Sequence, residues 1–159
     1  MLVKDIVDES FQDYKKPAMF IASVMCDWKC CTEAACDKSL CQNSKIAHQK
    51  SYQISNKTIV GRYISNPLTK AIVIGGLEPF LQTEELIDLI RAFREQTQDD
   101  IVIFTGYRLV EIAHDVERLT AYGNIIIKFG RFLPDSKKVY DNVLGVWLNS
   151  DNQYAERIS

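Results

Sequence analysis

An α/β domain built on a mainly parallel sheet is what three patterns in this sequence predict. Short aliphatic runs alternate about four times with stretches of helical periodicity. Those runs are nearly all apolar, without the alternation of a half-exposed strand, as strands covered on both faces are. Glycines and turn residues punctuate their ends. The 159 residues suit a single domain, 1–159, large enough to bury a core without disulfide staples.

The elements follow in order. "AMFIASVM", Ala18 to Met25, is a continuous apolar run that ends at Cys26 and reads as a buried strand. "SNKTIVGRYI" sets Ile59, Val60 and Tyr63 at helical spacing with Ser55 as a cap, and Gly61 weakens it. "KAIVIGG" is a short β-branched strand stopped by Gly75 and Gly76. In "TEELIDLIRAFREQ", Leu86, Ile87, Ile90 and Phe93 share one helical face. Thr83 is its expected cap, and Glu84 and Glu85 suit the positive end of the helix dipole. "DIVIFTGY" repeats the strand pattern, "RLVEIAHDVERL" aligns Leu109, Ile112, Ala113 and Val116 as a second amphipathic helix, and "NIIIKFG" is another strand. After Pro134 the pattern is irregular and predicts no particular element.

Composition narrows the function classes. Apolar residues make up 47% and charged residues 25%, with seven glycines and four prolines, which fits a globular chain and neither disorder nor a fibrous repeat. A net charge of -2 offers no basic field for nucleic acid or anionic lipid. "MLVKDIVDES" lacks the apolar run of a signal peptide, and no stretch is long enough for a membrane span, so a cytoplasmic protein is expected.

All five cysteines fall within "CDWKCCTEAACDKSLCQN", residues 26–43. In a reducing compartment such a cluster points to metal binding or catalysis and away from disulfides. Soft sulfur ligands at these separations suit one iron–sulfur cluster or a zinc ion. Zinc favours C-x-x-C knuckles, which are absent, and His48 would be a distant fourth ligand. A redox-active cysteine pair is a further option. Burial of five thiols for packing alone does not suit a loop that also carries Asp27, Lys29, Glu33, Asp37 and Lys38. In α/β folds ligands gather at the carboxyl ends of strands. The cysteine segment, "GGLEP" and "TGY" each follow a strand and read as one site. There Gly75 and Gly76 permit close approach of a ligand, and Glu78 suits a cationic ammonium group.

With "CDWKC", "CQN", "GGLEP" and "TGY" in hand, the chain resembles the activating protein of anaerobic ribonucleotide reductase, a small member of the radical S-adenosylmethionine (SAM) superfamily. The resemblance runs from about Ile21 to Gln153 and implies a radical SAM-like fold, a partial (β/α) barrel. In that superfamily C-x3-C-x2-C holds a [4Fe-4S] cluster with one iron open to SAM. Cys26, Cys30 and Cys41 are the implied metal ligands, with Cys31 as the alternative to Cys30. Ten residues separate Cys30 from Cys41 where the family has two, an insertion of eight that carries Cys36. "IGGLEP" is similar to the G-G-E-P motif that meets the SAM amino group, with Leu77 interposed. "FTGY" and "FGRF…LNSDNQY" also resemble family segments. The implied SAM-binding residues are Gly75, Gly76, Glu78, Thr105, Asn149 and Asn152, with Ser150 and Gln153 in the matching stretch.

The resemblance implies reductive cleavage of SAM to a 5′-deoxyadenosyl radical, a glycyl radical enzyme as protein partner, and a separate electron donor. The altered spacing leaves two alternatives open: a non-catalytic metal- or cluster-binding interaction module, or a radical SAM enzyme with another substrate. Elsewhere the sequence is plain. His114 reads as a solvated helix residue, Asp99 and Asp100 as a turn before a strand, and Trp28 as shielding for the loop. Nothing resembles a phosphate-binding loop or a Ser/His/Asp triad.

Overall fold

The computed structural model describes residues 1–159. Its strands and helices are, in chain order, β1 (Leu2–Val3), β2 (Asp5–Ser10), β3 (Ala18–Ala22), α1 (Lys29–Glu33), α2 (Ser44–Ala47), β4 (Tyr52–Gln53), α3 (Asn56–Ser65), β5 (Ala71–Gly75), α4 (Thr83–Arg94), β6 (Asp100–Phe104), α5 (Ala113–Leu119), β7 (Ile125–Phe129), β8 (Val139–Asp141), β9 (Val146–Leu148) and β10 (Tyr154–Arg157). Three short 3₁₀ turns lie at Lys38–Leu40, Pro79–Gln82 and Leu109–Glu111.

The central sheet runs β10-β7-β6-β5-β3-β2. Its four middle strands are parallel, as the apolar runs predict, while β2 and β10 join the edges antiparallel. The sheet is open, and its edge strands do not pair into a closed barrel. Neither edge strand is foreseen by the sequence patterns. β2 alternates only weakly, with Ile6 as its one buried residue, and β10 is the charged segment Tyr154–Arg157. No helix is long and apolar enough to cross a membrane.

Strand parity assigns the two faces. Ile72, Ile74, Ile101, Ile103, Ile125 and Ile127 meet Ile59 and Tyr63 of α3 and Leu86, Ile90 and Phe93 of α4 in the main core. Each such buried aliphatic or aromatic side chain contributes about 1.5–3 kcal/mol. The opposite face carries Ala71, Val73, Val102 and Ile126, over which the C-terminal segment folds Leu144 and Leu148. Towards the carboxyl ends of the strands that cover stops, and a cavity opens.

Ser55 caps α3 as expected, accepting the Thr58 N–H at 3.0 Å. Gly61 sits in that helix with nothing within 4 Å of where a Cβ would be. Asn66 ends it, because the residue before Pro67 is excluded from helical conformation. Two expectations change. Thr83 is not the cap of α4: a 3₁₀ turn leads into the helix, and Thr83 Oγ1 donates back to the Phe80 carbonyl at 2.8 Å. The helix expected from Leu109 begins only at Ala113; Leu109 and Ala113 are exposed and Leu119 is buried instead. Glu111 causes the break, since its carboxylate accepts the Arg108 N–H and closes a separate turn before α5.

Candidate functional site

The carboxyl ends of β3, β5, β6 and β7 border one cavity of about 390 Å³. Cys26, Cys30, Cys31 and Cys41 line one wall, and Gly76, Leu77 and Glu78 another. Thr105, Gly106 and Lys128 form the strand-end floor, and Asn149 and Gln153 come from the C-terminal segment.

The cysteine loop reaches this cavity through a tight turn at Trp28, whose φ of 60° starts α1. Three of its sulfurs each accept one backbone N–H. Trp28 donates to Cys26 Sγ at 3.3 Å, Phe132 to Cys30 Sγ at 3.4 Å, and Asn43 to Cys41 Sγ at 3.4 Å. Cys31 is buried beside Cys36 instead, and burial with that neighbour pushes its thiol up to about 12. Burial pushes Cys26 to about 11 and raises Cys30 as well. At Cys30 the Phe132 N–H and the charges of Arg131 and Lys128 pull the other way, favouring thiolate.

No three Cys, His, Asp or Glu side chains are grouped closely enough to hold a single metal ion. Zinc at about 2.3 Å from each sulfur needs its ligands crowded together. A four-iron cluster takes each thiolate on a different iron, so its ligands stand apart around a larger guest. Cys26, Cys30 and Cys41 on one cavity, each sulfur accepting a backbone N–H, supply the soft thiolate donors that such a cluster takes. His48 is outside the cavity lining, exposed, with Nδ1 2.7 Å from the Ser44 carbonyl.

The sequence profile of the 4Fe-4S single cluster domain matches residues 23–154, from the end of the first parallel strand to the start of the last strand. The chain belongs to that family. Searches of curated proteins and of solved structures give no match.

The cluster domain fastens its cysteine loop to the loop after β6. Tyr107 donates to Asp27 Oδ2 at 2.7 Å, Lys29 pairs with Glu111 at 3.3 Å, and Arg108 with Glu33 at 3.0 Å. Arg131 joins both sides: one guanidinium nitrogen reaches Glu33 at 2.9 Å and Glu111 at 2.6 Å, another the Gly106 carbonyl, and the plane lies 5.4 Å from the Tyr107 ring. Its Nε has no partner.

The residues singled out from the sequence divide. Gly76, Glu78, Thr105 and Asn149 line the cavity with the cysteines, and Gln42 accepts from Asn149 Nδ2. Gly75 and Asn152 do not line it: the Gly75 carbonyl accepts from Ser23, and Asn152 Nδ2 donates to the Arg131 carbonyl at 3.2 Å. Glu78 is buried, and burial pushes its carboxyl up to about 6. It accepts from Thr105 Oγ1 at 2.7 Å, Gly106 N at 2.9 Å and Phe80 N at 3.2 Å, so it braces two strand-end loops.

Lys128 and Arg131 lie in segments that the sequence singles out, but neither side chain is given a role there. For Lys128 the signal is present, a single cation inside the apolar run "IIIKF". Burial pulls its ammonium down to about 8. Arg131 is the arginine of "FGRF", but its bridging role is not legible there, because its carboxylate partners lie 98 and 20 residues away.

Proposed function

We propose that this protein is a radical SAM enzyme in which Cys26, Cys30 and Cys41 hold a [4Fe-4S] cluster and the cavity beside them binds SAM. The observation that carries the reading is the set of three N–H···S bonds, which single out the same three cysteines that the motif resemblance implies, while Cys31 and Cys36 turn to each other. When bound, the cluster supplies a single low-potential electron, the chemistry by which SAM is cleaved to methionine and a 5′-deoxyadenosyl radical.

The chain's own residues do the binding and orienting. Gly76, at φ 78°, packs the backbone after β5 against Ala22 at the cavity edge, and Asn149 and Gln153 line the cavity from the C-terminal segment, with Asn149 Nδ2 donating to Gln42 and Gln153 bonded to Ser150 and Gly130. Exclusion of water from the cavity falls to a docked partner, for which a glycyl radical enzyme is the proposed class and a separate reductant the electron source. Glu78 favours a second reading. Its carboxylate already accepts three hydrogen bonds within the protein, which suits a non-catalytic cluster-binding module as well as a SAM site.

Anaerobic reconstitution with iron and sulfide, followed by EPR of the reduced protein with and without SAM, tests both. The expected result is a [4Fe-4S] signal that SAM perturbs, with release of 5′-deoxyadenosine. Cys26→Ser, Cys30→Ser and Cys41→Ser should each lose the cluster, and Cys31→Ser and Cys36→Ser should keep it. A cluster indifferent to SAM removes the catalytic reading and leaves the binding module. Loss of the cluster on Cys31→Ser with retention on Cys30→Ser overturns the ligand set.

A further inference from the structure

Lys128 is a buried cation that forms no ion pair. It stands at the carboxyl end of β7, in register with Phe104 of β6, and its Nζ is 6.0 Å from the centre of that ring. The residue is 6% exposed and its side chain lines the cysteine cavity. An ammonium has three protons to donate. Here it reaches only the Thr105 and Gly130 carbonyls, both at 3.3 Å. Arg131, the other cation near Cys30, is paired with Glu33 and Glu111. Glu78, the buried carboxylate on the same cavity, is occupied by Thr105, Gly106 and Phe80 and forms no ion pair with Lys128. Taking an ammonium out of water without an anion costs far more than two long hydrogen bonds return. Two neighbours act on the ammonium as negative charges, the Glu78 carboxylate, whose oxygens are already taken by three donors, and the sulfur of Cys30 on the same cavity, with whatever that sulfur holds.

We propose that Lys128 is the counter-charge of the iron–sulfur cluster, a fixed cation beside Cys30 that raises the cluster's reduction potential. The inference rests on the cluster assignment above and is independent of SAM cleavage. A thiolate-ligated four-iron centre is anionic and becomes more so by one charge when reduced. A cation held nearby in a medium of low dielectric therefore stabilises the reduced form more than the oxidised form. The strand fixes the backbone that carries the lysine, because β7 pairs on both sides, with β6 and β10, and the ammonium is held by the Thr105 and Gly130 carbonyls.

The test is the midpoint potential of the reconstituted, SAM-free protein, followed by EPR, in the native chain and in Lys128→Gln, Lys128→Met and Lys128→Arg. Glutamine keeps donors for the Thr105 and Gly130 carbonyls and removes the charge. At a fixed potential near the native midpoint, the ratio of reduced to oxidised cluster should fall at least tenfold in Lys128→Gln and Lys128→Met, about 59 mV for a one-electron couple. Lys128→Arg should stay near the native value. If the uncharged variants fold but take up no iron, restored iron content in Lys128→Arg supports the counter-charge, and failure to restore it overturns it. Unchanged potentials in all variants overturn it too, including the case in which the EPR response to SAM alone is weakened, which would assign the ammonium to the carboxylate of SAM. Uncharged variants that do not fold make Lys128 a structural residue and reject the proposal. A native chain that takes up no cluster is a different failure, that of the assignment on which the inference rests.

Discussion

Asp100 is among the most heavily bonded side chains in the molecule, and it lies at the amino end of β6, away from the cavity. Lys16 Nζ donates to it at 2.6 Å, Arg157 at 2.7 Å and Tyr14 Oη at 3.0 Å. Burial by itself would raise its carboxyl, but these donors outweigh burial and hold it at about 2, against an ordinary 3.8. A folded-state value below the unfolded one means stability present in full above about pH 4 and lost as pH falls through 2. The shift is worth about 2 kcal/mol. Asp100→Asn should therefore cost about that much at pH 7, and urea melts of the variant should lack the native protein's decline in stability between pH 4 and 2 attributable to this group. Asp99, next to it, accepts the Tyr63 hydroxyl at 2.5 Å. The adjacent acids are two separate structural anchors: Asp99 lies before the strand as expected, whereas Asp100 is already the first residue of β6.

At the scale of elements, the loops at the carboxyl ends of the strands depend on a few backbone conformations. Gly130, directly after β7, has φ 104°, and a Cβ there would stand 2.8 Å from the Asn152 carbonyl oxygen. Both the left-handed conformation and the contact penalise a side chain. Gly130→Ala should lose about 2 kcal/mol in urea denaturation and loosen the Ser150–Gln153 turn, visible as faster amide hydrogen exchange there. The helices respond to different forces. α4 was legible because an apolar face, acids in the first turn and arginines in the last all agree. α5 starts later than its periodicity predicts because Glu111 captures the Arg108 N–H, a local bond that periodicity does not reveal.

For the molecule as a whole, Arg131 is the residue that ties distant parts together. It joins Glu33 of the cysteine loop to Glu111 and the Gly106 carbonyl of the loop after β6 while only 2% of its side chain is exposed. Removing it leaves Glu33 and Glu111 without their shared cation and a space under Tyr107. Arg131→Met should destabilise the fold by about 3 kcal/mol. It should also raise hydrogen exchange across residues 26–43 and lower the iron content after reconstitution. Exchange unchanged in that segment would mean that Asp27, Lys29 and Arg108 suffice to hold the loop.

Read alone, the sequence determined the parallel centre of the sheet, α3 and α4, and the gathering of cysteines, "GGLEP" and "TGY" at one end of the strands. Each of those depends on neighbouring residues: runs of Ile and Val, an apolar helical face, or thiols close together in the chain. Tertiary structure decided what depends on distant partners. It gave the sheet its antiparallel edges, drew Gly75 and Asn152 away from the cavity, and filled Glu78 with donors from Thr105, Gly106 and Phe80. It also separated Cys30 from Cys31. These adjacent thiols are equivalent in spacing, yet one accepts the N–H of Phe132, 102 residues away, while the other is packed against Cys36. Only folding brings β7 and its Lys128 to the cysteine loop, and burial in that cavity is what turns an ordinary lysine into a charge the site has to answer.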